Sequence, residues 1–356
     1  MTRLGVAAAL VGGGWVAGDV EVVDGVVTSV GLSPAVGEAV VAPGFVDQQV
    51  NGFAGVDLRS ADEQGYATVA DALLAHGVTT FLPTYYSTSV DDYVAALQVL
   101  RSVHADPPGG AHVGGAHLEG PFLSPTWAGA HDARHLVAPD PAIAVRLVSA
   151  GPVDLVTLAP ELPGALDLVR WFVARDIRVS VGHTDATAEE CRLAFDAGAS
   201  MLTHCFNAHR RFGARDPGPA GAALVDRRVA FGVIADGHHL ADDVLRLVAT
   251  TAPDRMRLVS DAIAPAGTDA VTWATGGASV RIGGGRAELS DGTLAGSVTP
   301  LDDAVRRMVA LGVPPEVALR AAAGGRRLAV GSVADLVVLD DGWRVADTLV
   351  ARRRRS

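Results

Sequence analysis

Short apolar runs alternate with stretches of helical period along most of the chain. Eight runs rich in β-branched residues cover residues 42–49, 78–85, 112–119, 153–160, 177–183, 199–204, 229–236 and 256–261. Between most of them, stretches such as 91–103, 165–176, 188–198 and 241–251 carry apolar residues at the spacing of an amphipathic helix. Strands that alternate with helices predict a parallel sheet. Eight such units predict an α/β fold, a (β/α)8 TIM-like barrel with its active site at the carboxyl ends of the strands.

The two ends of the chain follow a different pattern, in which short strand-like stretches are separated by glycine turns. Asp24-Gly25, between two apolar stretches, is a strong signal for a two-residue hairpin. Neither end is long enough to bury much surface alone. We therefore predict that residues 1–41 and 326–356 pair into a small β-sandwich domain beside a barrel of residues 42–325.

Polar residues stand where several of the predicted barrel strands end. The third strand ends at Glu119, the fifth at His183, the sixth at His204 and the eighth at Asp261. Alone, each histidine or carboxylate has an ordinary structural role, such as a buried hydrogen bond or a turn cap. Together, one carboxylate and two imidazoles at a barrel mouth give the three N/O ligands of a catalytic metal site with an open position. Asp261 is then the candidate base.

Composition narrows the functional classes. The chain has 356 residues, 49% of them hydrophobic, and a net charge of -11, which argues against a nucleic-acid or anionic-membrane surface. Two cysteines form no disulfide framework, and no apolar run approaches the ~18 residues of a membrane span. We expect a cytoplasmic protein. All 29 basic residues are arginine, so lysine-based chemistry, including a carbamylated lysine, is excluded.

Several motifs occur in order along the chain and carry a resemblance. They are APGFVDQQVNG from residue 42, HLEGPFLSPTWAGAH from 117, VGHTDA from 181, THCFNAH from 203, RDPGPAG from 215, ADGHHL from 235, SDAIAPAG from 260 and GTLAGS from 292. The chain resembles the N-acetylglucosamine-6-phosphate deacetylases of the amidohydrolase superfamily over nearly its whole length. The resemblance implies hydrolysis of N-acetyl-D-glucosamine 6-phosphate to glucosamine 6-phosphate and acetate, in amino-sugar catabolism or cell-wall recycling.

The resemblance also implies roles for particular residues. Glu119, His183 and His204 match the family's metal ligands, and Asp261 matches its catalytic aspartate. His131 matches a loop histidine beside the acetamide group. The implied substrate-binding residues are Asn207 and Ala208 at the phosphate, His239, the backbone segment that begins at Leu294, and Arg215, which matches a phosphate-binding arginine that can come from the neighbouring subunit of a homodimer.

Gln49 and Asn51 stand where many metal-dependent amide hydrolases carry two histidines. Neutral amides are poor replacements for imidazole ligands, and without lysine no carbamate can bridge two ions. We therefore predict one divalent ion per subunit, with Zn²⁺ first and Fe²⁺, Mn²⁺ or Co²⁺ as alternatives. Gln49 and Asn51 are left to hydrogen-bond water, substrate or Asp261.

Three features depart from the family pattern. Trp127-Ala128 replaces basic residues before the loop histidine, His209 replaces a methionine, and the segment near residues 324–332 is shortened, which could loosen the join between the domains. For His209, the sequence allows a solvent-facing side chain or an extra phosphate contact. Two other functions stay open: deacetylation of another N-acyl sugar phosphate such as N-acetylgalactosamine 6-phosphate, and an inactive barrel that binds a sugar phosphate.

Overall fold

A β-sandwich is formed by both ends of the chain. The computed structural model describes residues 2–34, 37–275 and 278–351. The N-terminal strands are β1 (Thr2–Arg3), β2 (Ala8–Val11), β3 (Gly14–Ala17), β4 (Asp19–Val23), β5 (Val26–Leu32) and β6 (Val40–Pro43). Asp24 and Gly25 have φ of 50° and 76°, the conformation that the predicted hairpin turn requires.

The remaining strands are numbered on from these. The barrel and its loops contain β7 (Phe45–Val50), β8 (Gly52–Phe53), β9 (Val56–Asp57), β10 (Val78–Tyr86), β11 (His112–Val113), β12 (Ala116–Glu119), β13 (Val153–Leu158), β14 (Arg178–Val181), β15 (Met201–Leu202), β16 (Ala230–Val233) and β17 (Met256–Leu258). An inserted sheet contains β18 (Thr272–Thr275), β19 (Ala278–Gly283), β20 (Arg286–Glu288) and β21 (Leu294–Ser297). The C-terminal strands are β22 (Leu336–Leu339) and β23 (Val345–Leu349).

Two sheets of the sandwich enclose a small core. β1, β4 and β5 form one sheet, and β23, β22, β6, β2 and β3 form the other in that order. Valine and leucine side chains from both chain ends fill the space between them, including Val20, Val27, Leu328 and Leu336. The shortened segment is held by main-chain hydrogen bonds, because Gly331 donates to Val27 and Val27 donates to Ser332. These bonds join the segment to β5 of the sandwich, and its effect on the join to the barrel stays a prediction, as do the exact domain boundaries.

Eight parallel strands form the barrel, as the sequence predicts. Their order is β7, β10, β12, β13, β14, β15, β16 and β17, and a parallel bridge between Val50 and Ala262 closes the ring. The helices around it are α1 (Glu63–Leu74), α2 (Val90–Ala105), α3 (Pro141–Ala150), α4 (Ala165–Val173), α5 (Ala188–Asp196), α6 (Gly218–Val225), α7 (Asp242–Thr251), α8 (Leu301–Ala310) and α9 (Pro315–Ala322). None of the helices in the described ranges combines the length and apolarity that crossing a bilayer requires.

The local sequence explains where the helices begin. Asp62 and Ser89 cap α1 and α2 by accepting hydrogen bonds from the first turn. Thr187 and Glu190 form a reciprocal capping box at the start of α5. Each cap directs the chain from the carboxyl end of a strand back down the outside of the barrel, which leaves the strand-end side chains at the mouth.

Candidate active site

Three side chains from the ends of β12, β14 and β15 converge at the barrel mouth. The Oε1 atom of Glu119 lies 3.1 Å from Nε2 of His204 and 3.3 Å from Nε2 of His183, and the two Nε2 atoms are 3.1 Å apart. Ligands ~2.1 Å from a tetrahedral cation lie roughly 3.4 Å from one another. The triangle therefore fits one divalent cation, and all three residues are buried.

His183 and His204 differ in the groups that contact their Nδ1 atoms. Nδ1–H of His183 donates to the main-chain oxygen of Trp127 at 2.8 Å, which leaves its Nε2 lone pair for a metal. Nδ1 of His204 is buried and has no hydrogen-bond partner among the described residues. The Trp127 contact was not predicted, because a loop carbonyl leaves no signature in sequence.

Unusual backbone conformations mark the same strand ends. His183, His204 and Asp261 have φ of 46°, 26° and 50°, in the left-handed region that favours glycine. Each such conformation costs on the order of 1–3 kcal/mol and persists only where the surroundings enforce it. The chain thus holds these three side chains at the mouth against its local preference.

Gln49 and Asn51 each donate a hydrogen bond to a different carboxylate. Nε2 of Gln49 donates to Oε1 of Glu119 at 3.1 Å, and Nδ2 of Asn51 donates to Oδ1 of Asp261 at 2.7 Å. The second contact is one of the three alternatives that the sequence left open. Gln49 does not line the cavity, so its predicted substrate contact stays a prediction, and its structural partner is the candidate ligand Glu119.

The two carboxylates have opposite pKa shifts. Burial alone would raise the pKa of Glu119, but hydrogen bonds and charge from His183 and His204 hold it well below its usual range. Burial and the nearby charge of Glu119 raise the pKa of Asp261 to about 8. One buried carboxylate of the site, Glu119, is therefore ionised, while the other, Asp261, retains its proton. The first suits a metal ligand, and the second suits a group that carries a proton during the reaction.

His131 directs one N–H toward the ligand triangle. The main-chain N–H of Ser87 donates to Nδ1 of His131 at 3.1 Å, so the neutral ring carries its proton on Nε2. That Nε2 atom lies 3.9 Å from Oε2 of Glu119. Burial and the neighbouring His183 lower the pKa of His131 to about 3, which keeps the ring neutral and able to donate. Ser87 is a positioning residue that the sequence did not indicate.

The loop after β15 places Asn207 and Ala208 in the cavity lining. The side chain of His209 holds this loop through hydrogen bonds to its main chain. Nε2 of His209 accepts the main-chain N–H of Phe206 at 2.8 Å, and its Nδ1–H donates to the main-chain oxygen of Arg210 at 2.9 Å. The side chain is 3% exposed. Both expectations for His209 are therefore wrong: it is neither solvent-facing nor free to contact a phosphate.

His239 lines the cavity near the end of β16. Its Nδ1–H donates to Oδ2 of Asp236 at 2.7 Å, while the other oxygen of Asp236 accepts the main-chain N–H groups of His238 and His239. Burial alone would raise the pKa of Asp236, but the hydrogen bond from His239 lowers it to about 2. The ionised carboxylate thus fixes the His239 ring with Nε2 available to a ligand.

The inserted sheet forms one wall of the cavity and was not predicted. Trp273, Val280, Leu289 and Leu294 line it, and Leu294 is the predicted residue of this segment. The cavity has a volume of about 800 Å³ and brings together Glu119, His183, His204, Asp261, His131, Asn51, Asn207, Ala208 and His239. Arg215 is exposed and does not line it.

Comparison with known proteins places these features in a family. The sequence model of the amidohydrolase family matches residues 40–351. The chain belongs to the amidohydrolase family. The human N-acetylglucosamine-6-phosphate deacetylase is 38% identical to this amidohydrolase over 340 residues, which cover 88% of this chain and 83% of the human protein. An N-acetylgalactosamine-6-phosphate deacetylase of Escherichia coli O157:H7 is 35% identical over 322 residues, covering 86% and 85%.

Solved structures agree with this assignment. A variant of the N-acetyl-D-glucosamine-6-phosphate deacetylase from Mycobacterium smegmatis, in complex with N-acetyl-D-glucosamine-6-phosphate, has a TM-score of 0.91 and 34% identity over 97% of both chains. The Thermotoga maritima N-acetylglucosamine-6-phosphate deacetylase has a TM-score of 0.90 and 31% identity over 98% of both chains. The predicted barrel and the resemblance to this group of amidohydrolases are confirmed.

Proposed function

We propose that this amidohydrolase removes the N-acetyl group of N-acetyl-D-glucosamine 6-phosphate, giving glucosamine 6-phosphate and acetate. The observation that carries the proposal is one cavity that holds a metal-ligand triangle, a buried carboxyl of raised pKa and a separate polar loop at Asn207 and Ala208. The 38% identity to the human deacetylase supports the substrate. An inactive binding barrel would not need Asp261 buried beside a metal site.

The residues that line the cavity have separate roles in the proposed reaction. When bound by Glu119, His183 and His204, a divalent cation supplies a Lewis acid that polarises a carbonyl and acidifies water. Asp261 takes a proton from the attacking water and returns it to the departing amine nitrogen. Asn51 holds the oxygen of Asp261 in place. Nε2–H of His131 donates to the carbonyl oxygen as negative charge develops on it.

The phosphate end of the substrate is assigned to the loop after β15, where Asn207 and Ala208 line the cavity. Asn207 and the main-chain N–H of Ala208 donate to phosphate oxygens, His239 contacts the sugar, and the backbone from Leu294 lines the sugar pocket. Turnover of N-acetylglucosamine with and without the 6-phosphate tests this end. Comparable kcat/KM for the two would refute the phosphate assignment.

N-acetylgalactosamine 6-phosphate is the second candidate substrate, favoured by the 35% identity to the Escherichia coli deacetylase for that sugar. The two sugars differ in the configuration of one hydroxyl group. Side-by-side kcat/KM values for the two 6-phosphates decide between them. A clear preference for the galacto sugar would replace the first assignment and leave the chemistry at Asp261 unchanged.

We further propose one divalent ion per subunit, with Zn²⁺ as the first choice and Fe²⁺, Mn²⁺ or Co²⁺ as alternatives. The support is the amide character of Gln49 and Asn51 and their hydrogen bonds to Glu119 and Asp261. Elemental analysis of the purified protein measures the stoichiometry and the metal. A value near two ions per chain would contradict the proposal.

The protein is proposed to act as a cytoplasmic homodimer in which Arg215 serves the partner's cavity. Its exposure and its position outside the cavity of its own chain support this role. Mixing Arg215→Ala chains with Asp261→Asn chains tests it, because a mixed dimer then regains one complete site. Mixed dimers that stay as inactive as the two parents would show that Arg215 does not act across the interface.

A further inference from the structure

A second cleft lies at the opposite end of the barrel, where the β-sandwich joins it. Its walls come from the β2–β3 turn at Gly12 and Gly13, the residues before β17, helix α9 and residues 325–327. Its volume is about 280 Å³, space for roughly nine water molecules at ~30 Å³ each. It shares no lining residue with the candidate active site.

Four arginines converge on this cleft although the whole chain is acidic. They are Arg257, Arg320, Arg326 and Arg327, and Asp254 is the single carboxylate in the lining. Arg320 pairs with Asp254 at 3.0 Å, and Arg326 pairs with Asp335 outside the lining at 3.3 Å. Among the described residues, no carboxylate oxygen lies within 4.0 Å of Arg257 or Arg327, so the lining keeps an excess of positive charge.

Arg257 presents a free edge to the cleft. Its Nη1 donates to the main-chain oxygens of Asp254 and Met256, both at 2.9 Å, which fixes the guanidinium plane. No atom of Arg257 is among the buried side-chain atoms that lack a hydrogen-bond partner in the described residues. Its remaining N–H groups are therefore open to solvent. A held guanidinium with an open edge is the arrangement that binds phosphate oxygens in pairs.

Two glycines let the backbone approach the arginines. Gly13 has φ of 99°, and a Cβ there would lie 3.1 Å from Nη1 of Arg320. Gly325 has φ of 90°, and a Cβ there would lie 3.3 Å from Nη2 of Arg257. Any other residue would be strained at these positions and would narrow the cleft beside the guanidinium groups.

We propose that this cleft is a binding site for a small phosphate-bearing anion, which would clamp the β-sandwich to the barrel. The volume admits a phosphate group with a few attached atoms. The positive lining selects against cations and neutral sugars. The ligand is either inorganic phosphate or a small phosphate monoester, which share the same recognition chemistry. The proposal concerns a site separate from the proposed reaction and does not depend on it.

Calorimetric titration at constant ionic strength tests the proposal, with orthophosphate, glycerol 3-phosphate and sulfate as probes. All variants carry Asn207→Ala and Arg215→Ala, which remove the two side chains proposed to contact phosphate at the active site. We expect one orthophosphate or monoester per chain in this background. Arg257→Gln should weaken binding about tenfold or more, because a charge-assisted hydrogen bond is lost. The tighter of the two phosphate probes identifies the source.

Two further variants guard against misfolding and general charge effects. Arg327 is exposed, so Arg327→Gln should leave the fold intact and weaken binding about threefold to tenfold. Arg192→Gln removes the same charge from an exposed position on α5 and should change binding less than twofold. Absence of phosphate binding in the parent background would overturn the proposal, and so would equal affinity in the Arg257, Arg327 and Arg192 variants.

Discussion

Replacement of Asp261 by asparagine should abolish turnover and at the same time stabilise the metal-free protein. Burial and the charge of Glu119 raise the pKa of Asp261 to about 8, and its carboxyl group accepts a hydrogen bond from Asn51. Asparagine has nearly the same shape, keeps an oxygen for Asn51 and carries no charge at any pH. The variant therefore removes the electrostatic penalty without removing the contact.

The size of the effect follows from the two pKa values. An aspartate in the unfolded chain ionises near pH 3.9, so between about pH 4 and pH 8 the folded state binds more protons than the unfolded state. Stability of the wild-type protein therefore falls as pH rises through this window, by about 1.4 kcal/mol per pH unit. For Asp261 the loss of folding free energy is on the order of 2 kcal/mol at pH 5 and 5 kcal/mol at pH 8, and it becomes small below about pH 4.

Urea unfolding of the metal-free proteins at pH 5 and pH 8 measures this difference. We expect the free energy of unfolding of the Asp261→Asn variant to exceed that of the wild type at both pH values, with the larger difference at pH 8. Added Zn²⁺ should narrow the gap, because a nearby cation favours the ionised carboxylate. Asp71→Asn, at an exposed position, is the matched control and should show no such trend. A gap that is equal at the two pH values would refute the assignment of a raised pKa.

Three other substitutions test neighbouring contacts. Gln49→Leu should weaken Zn²⁺ affinity by about 10- to 100-fold in a chelator competition, because Glu119 loses the hydrogen-bond donor that orients it. Unchanged affinity would contradict this orienting role of Gln49. His131→Phe should lower kcat by about 10²- to 10³-fold with little change in KM, and a loss confined to KM would contradict oxyanion stabilisation. His209→Met should raise KM for the phosphosugar more than His209→Gln, because glutamine retains an acceptor for the N–H of Phe206. Equal KM values for the two variants would show that this hydrogen bond does not matter for substrate binding.

The barrel and the convergence of Glu119, His183 and His204, the candidate metal ligands, could be predicted because both follow from residue type and position along the chain. Apolar runs marked the strands, and polar residues at their ends identified Glu119, His183 and His204. The carboxyl ends of parallel strands meet at one edge, so these residues had to come close together. No knowledge of the loops was needed for that step.

The supporting contacts could not be predicted, since they depend on loop conformation. The Trp127 oxygen that fixes His183 and the Ser87 N–H that fixes His131 are main-chain groups, which every residue has. His209 looked like a surface substitution until its two ring nitrogens were placed between main-chain groups of its own loop. The inserted sheet from Thr272 to Ser297 has short strands and glycine-rich turns, which the apolar periodicity does not distinguish from a loop.

The amides of Gln49 and Asn51 connect metal count to proton transfer. Two buried carboxylates repel each other, and a site with two cations would neutralise both and depress both pKa values. Here each carboxylate instead receives one amide N–H, which compensates only partly, because the pKa of Asp261 still stands at about 8. A cation bound at Glu119 would lower that value, because a nearby positive charge favours the ionised carboxylate, and a general acid and base works best near neutrality. A second cation beside Asp261 would remove its basicity, so the amide pair is consistent with the proposed single-ion site.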